Sequence, residues 1–171
     1  MFTRSGSTWT QQGPKLLASG ESGEGGFGDS VALSANGSTA LIGGPGDSGF
    51  AGAVWAFTRS GSTWTQQGPK LTGTGEVGEG LLGESVALAG NGSTALVGGW
   101  HDDEGVGAAW VFTRSKSKWS QQGAKLVPSD ESGAGDFGES VALTANGVTA
   151  LIGGPGDDDN VGAAWVFADG E

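Results

Sequence analysis

Short stretches in which apolar residues recur at every second position alternate with runs of Gly, Ser, Asn and Asp along this chain. In residues 27–37, FGDSVALSANG, Val31 and Leu33 share one face and Ala32 takes the other. Asn36-Gly37 then supplies a dipeptide suited to a tight hairpin, whose central positions need positive φ. Residues 38–46, STALIGGPG, read as the returning strand. After a Gly- and Asp-rich loop, residues 53–59, AVWAFTR, put Ala53, Trp55 and Phe57 on one face by the period of two. Ser60, Gly61 and Ser62 turn the chain into a fourth strand at residues 63–67, TWTQQ. The pattern predicts a small four-stranded antiparallel meander.

The meander recurs every 55 residues without a gap: Phe2, Phe57, Phe112 and Phe167 align, as do Trp9, Trp64 and Trp119, and Trp55, Trp110 and Trp165. Residues 2–56 and 57–111 share 37 identities, too many for chance, so the units 2–56, 57–111 and 112–166 are true repeats. A module of this length cannot cover its own apolar faces and must stack on its neighbours. Small residues beside large ones suit wedge-shaped sheets set around an axis. The expected fold is all-β, a β-propeller of four-stranded antiparallel blades with three blade equivalents per chain. A β-solenoid or an elongated array of meanders is the alternative.

Composition agrees with many turns and aromatic anchors: 36 Gly, 7 Trp and 7 Phe in 171 residues, with no Cys or Tyr. A net charge of −11 argues against a nucleic-acid partner, since a phosphate backbone would be repelled. Without cysteine there is neither a disulfide nor a thiol site. No apolar run approaches a membrane span. The sequence begins inside a repeat, without a secretory apolar segment.

At Phe27-Gly28 with Gly43-Gly44-Pro45, and again at Phe137-Gly138 with Gly153-Gly154-Pro155, the chain resembles the FG-GAP repeats that form integrin-type β-propellers, bacterial members in particular. The middle unit departs at both places, with Leu82-Gly83 and Gly98-Gly99-Trp100. The resemblance implies a propeller of extracellular or cell-surface origin. It also implies calcium in the loop between the first two strands of a blade. Here that loop reads Ala35-Asn36-Gly37-Ser38-Thr39 and its two equivalents, without an acidic residue. A hard cation favours carboxylate oxygens, so this position gives calcium little to hold.

The loop between the second and third strands is richer in chemistry. It carries Asp47-Ser48-Gly49-Phe50, then Asp102-Asp103-Glu104-Gly105, then Asp157-Asp158-Asp159-Asn160. Asp157, Asp158 and Asp159 are the candidate calcium ligands, and solvated acidic turns are the plainer reading. Trp100 stands where the other units have Pro45 and Pro155. With His101, Asp102 and Asp103 it makes a candidate platform for a glycan or a protein partner, or it packs locally. His101 is the only histidine, which leaves zinc without a ligand set. Trp9, Trp55, Trp64, Trp110, Trp119 and Trp165 are expected to be packing anchors between blades.

Enzymatic activity is not expected. Glu76, Glu79 and Glu84, or Glu131, Asp136 and Glu139, offer carboxylate pairs, but Glu21, Glu24 and Asp29 show that they follow the repeat. The remaining question is assembly. Residues 2–16 supply the end of a third strand and a fourth strand, whereas the last unit has three strands. Three blades are too few for the usual ring. Two copies make six, with residues 8–12 of one pairing beside residues 165–167 of the other, so a self-assembling homodimer with strand exchange is expected. A nine-bladed trimer, a segment of a longer propeller, a purely structural duplicated or designed scaffold, and a calcium-dependent adhesion module are the alternatives.

Overall fold

The computed structural model describes residues 2–168. Strands β1 (Phe2–Ser5) and β2 (Thr8–Gln11) pair only with each other. The first full sheet runs β3 (Val31–Leu33), β4 (Thr39–Gly44), β5 (Ala53–Ser60) and β6 (Thr63–Gln66) in chain order. The second repeats it with β7 (Ser85–Leu88), β8 (Thr94–Gly99), β9 (Ala108–Ser115) and β10 (Lys118–Gln121). The third holds three strands, β11 (Ser140–Leu143), β12 (Thr149–Gly154) and β13 (Ala163–Ala168). Every pairing is antiparallel, and the registers repeat: Ile42 faces Trp55, Val97 faces Trp110, and Ile152 faces Trp165. The protein is all-β, built of propeller-type blades that do not close within the chain.

Two details differ from the sequence reading. The first strand of the first blade is only Val31–Leu33, not the whole of residues 27–37. Gly28 has φ of 111° and donates its N–H to the Gly43 carbonyl, while Asp29 turns back to Gly26, so Phe27 precedes the strand in a turn. The acidic loops contain single helical turns at Asp47–Phe50, Asp102–Gly105 and Asp157–Asn160. Left-handed residues such as Ser48, Asp103 and Asp158 interrupt them, so they are tight reversals, not extending helices.

The core lies between sheets. Leu41, Val54, Ala56 and Leu71 of the first blade meet Leu82, Val97, Trp110, Phe112 and Trp119 of the second in one buried cluster. Leu96 and Ala109 of the second blade meet Phe137, Ala150 and Ile152 of the third in the next. Period-two alternation explains this: each strand sends one set of side chains forward and the other back. Close approach is enforced at the glycine pairs. A Cβ on Gly43 would lie 2.0 Å from the Gly83 carbonyl oxygen, and one on Gly98 would lie 1.9 Å from that of Gly138. Only glycine allows the backbones to come so near.

Candidate functional site

The joints between successive blades are built from the same parts. The Ser30 hydroxyl donates to the Gly83 carbonyl at 2.6 Å, and the Ser85 hydroxyl to that of Gly138 at 2.7 Å. The Leu82 N–H donates to Ala51 and the Phe137 N–H to Val106. On the fourth strands, the Gln66 side-chain oxygen accepts from the Ser19 N–H and that of Gln121 from the Thr74 N–H, each at 2.8 Å. Trp55 and Trp110 donate from Nε1 to the carbonyls of the same two residues, Ser19 and Thr74. Gln67 then receives the Trp119 indole N–H at 3.1 Å and an Arg114 N–H at 3.2 Å, with the guanidinium 5.5 Å from the Trp119 ring centre.

A buried ion pair closes each complete blade. Asp47 accepts from the Ser22 N–H at 2.7 Å and pairs with Lys70, which also donates to the Ser48 hydroxyl at 3.0 Å. Burial pushes the Asp47 carboxyl up. Lys70, the Ser22 N–H and the Ser48 hydroxyl outweigh that push and hold it below its ordinary value. Asp102 repeats the arrangement with the Val77 N–H and Lys125. Asp157 keeps the backbone contact, from Ser132 at 2.8 Å, but no described lysine reaches it.

That difference marks an open joint at the third blade. Leu151 is 47% exposed although its equivalents Leu41 and Leu96 are fully buried, and Val166 is 68% exposed against 1% for Ala56. On the other face of this sheet, toward the second blade, lies a cavity of about 600 Å³ lined in part by Val111, Gln122, Leu126 and Phe167. On the first blade the opposite face is open only at its first strand, where Val31 and Leu33 are exposed, while Ala40, Ile42, Trp55 and Phe57 are buried against Leu16, Ala18 and Phe27. The β1–β2 hairpin lies wholly at the surface, and its Trp9 is 62% exposed against 7% for Trp119.

The residues singled out in the sequence fall into separate places. Trp55, Trp110 and Trp119 are buried anchors, Trp64 and Trp165 are half-buried against the clusters, and Trp9 is not packed. Phe27 stacks edge-on against Trp55 at 5.5 Å and Phe137 against Trp165 at 5.3 Å, so the paired Phe-Gly and Gly-Gly-Pro motifs shape the blade. Trp100 is half-buried and meets His101 edge-on at 5.1 Å. His101 Nδ1 lies 3.0 Å from the Glu79 carbonyl, where the Nδ1-protonated ring donates. Asp102 is held inside by Lys125, whereas Asp103, Asp158 and Asp159 are exposed. Among the described residues no group of three or more His, Asp or Glu side chains is gathered to hold a metal ion. No described helix is long and apolar enough to cross a membrane.

The sequence reading missed the Asp–Lys pairs and the role of Gln67. A signal existed: Lys15, Lys70 and Lys125 recur at the repeat spacing, as do Asp47, Asp102 and Asp157, and the residues that follow those aspartates change while the aspartates do not.

Residues 119–167, from the last strand of the second blade through the third sheet, match the FG-GAP repeat family. No curated protein matches the chain. Among solved structures, hydrazine synthase of Kuenenia stuttgartiensis is similar at 12% identity with a TM-score of 0.46. The match covers 84% of this chain and 33% of that one, so the chain spans about a third of its length.

Proposed function

We propose that this chain is a non-catalytic β-propeller scaffold that completes its ring with a second copy of itself, giving a six-bladed homodimer. The observation that carries the reading is the mismatch between a three-stranded third sheet and an exposed hairpin whose β2 repeats the missing fourth strand. Closure of this kind removes open sheet edges, which otherwise invite uncontrolled pairing. Two-fold symmetry makes the two joints identical. The packing of Trp100 on His101, and the engagement of Asp102 by Lys125, favour a scaffold over a glycan- or protein-binding platform in that loop.

Native mass determination tests the reading. A species of about 34 kDa, twice the chain's 16.9 kDa, is expected, and removal of residues 1–12 should convert it to monomer. A wild-type chain that stays monomeric at every concentration overturns it.

A further inference from the structure

We propose that the cavity beside the third blade is the socket for Trp9 of a second copy, and that Lys15 of that copy completes the ion pair of Asp157. The inference rests on the dimer reading and specifies how its joints lock.

The repeat provides the template. Trp119 is buried in a cluster that includes Ala56, Leu71 and Phe112, with its indole N–H on Gln67. Advancing that environment by one 55-residue unit gives Val111, Leu126, Phe167 and Gln122, all of which line the cavity. Among the described residues no tryptophan fills the environment reached by that step. A sequence equivalent of Trp119, Trp9, stands exposed at the surface. Hairpin geometry agrees, because Arg4 faces Trp9 across β1 and β2 as Arg114 faces Trp119 across β9 and β10.

Charge gives independent support. Lys70 and Lys125 each neutralise a carboxylate that has no exposed surface of its own, 23 positions earlier in the chain. The equivalent of both lysines is Lys15, exposed and without an ion pair among the described residues. Asp157 holds its backbone donor and lacks that cation. A second hydrogen bond follows from the same shift. Gln66 and Gln121 each clamp a backbone N–H of the approach to a blade, and Gln11 of the incoming copy is placed to accept from Ser129. Gln11 already makes the local contact of its equivalents, donating to the Gly13 carbonyl at 2.9 Å as Gln66 does to Gly68. Its side chain is therefore pre-set for the task.

The test uses two charge reversals in the full chain, Lys15→Glu and Asp157→Lys. Each alone sets like charges against each other at both joints and should weaken self-association by about tenfold or more. Mixing the two variants should restore association. The mixed dimer has one joint with the native pair and one with the pair reversed. Trp9→Ala should weaken association to a similar degree, with the circular dichroism of the unassociated chain unchanged. If the wild-type chain dimerises but neither reversal weakens it and mixing restores nothing, the socket and its ion pair are wrong while the dimer stands. If each variant closes on its own chain as a compact monomer, the partner is not a second copy and the inference falls with it.

Discussion

Lys125 reaches across its blade to the carboxylate of Asp102, whose side chain has no solvent exposure, while the lysine itself keeps 19% of its side-chain surface in water. The charge that needs a partner is the inner one. Lys125→Met should cost about 3 kcal/mol of folding stability by leaving a buried carboxylate unpaired. Adding Asp102→Asn in that background should recover part of the loss, and urea denaturation of the single and double variants measures both.

Protons act on the fold in two directions. Asp47 lies below its ordinary range, so its contribution is present at neutral pH and is lost as pH falls through its folded value. Glu84 is pushed up by burial, reinforced by Asp29 and Glu139. Its folded form keeps the proton longer, so its contribution is present below the ordinary glutamate value of 4.5 and is lost as pH rises through the folded value. Glu84→Gln should therefore raise the urea midpoint at neutral pH and have little effect in acid. An equal gain at both extremes would contradict the assignment.

Burial separates otherwise equivalent tryptophans. Trp110 is fully enclosed between the first two blades, and Trp110→Ala should cost about 3–5 kcal/mol in thermal or urea unfolding. Truncation of the exposed Trp9 should leave the unfolding of the unassociated chain within about 0.5 kcal/mol of wild type.

Glycine substitutions distinguish a filled joint from an open one. Gly98→Ala would drive a methyl group into the Gly138 backbone and should destabilise the chain by about 1–3 kcal/mol or more. At Gly153 the close neighbour is the Ser140 hydroxyl, at 2.4 Å, with no opposing backbone. Rotation of that side chain relieves the contact, so Gly153→Ala should be milder in folding. Under the dimer proposal it should still weaken self-association, by about tenfold or more, which analytical sedimentation resolves.

Much of the architecture was legible because side-chain alternation and the 55-residue period act together. Trp55 and Phe57 were placed on one face, and the structure packs both into one cluster. Asn36-Gly37 does sit at the turn, but the connection from Leu33 to Thr39 is longer than the two-residue hairpin the dipeptide suggests. Gly37 alone takes a positive φ, of 64°, and the Asn36 side-chain oxygen accepts from the Ser38 N–H at 3.0 Å. The candidate site was less legible. Asp102 and Asp103 are adjacent in the chain, yet one is buried on a lysine and the other faces solvent. Nothing in a local acidic run distinguishes them, because the separation comes from Lys125 and Val77, distant in sequence. The short first strand was also hidden, since Phe27 and Gly28 look strand-like until the left-handed φ of Gly28 is known.

The near-contact of Gly43 with Gly83, repeated by Gly98 with Gly138, sets the spacing of successive blades from main chain to main chain. Side chains elsewhere in the joint are thereby relieved of acting as spacers. The pitch from one unit to the next is written in residues that have no side chain to mutate. Loops such as those around Phe50, Trp100 and Asp158 are therefore free to diverge in chemistry while the curvature, and with it the number of units that complete a turn, stays the same.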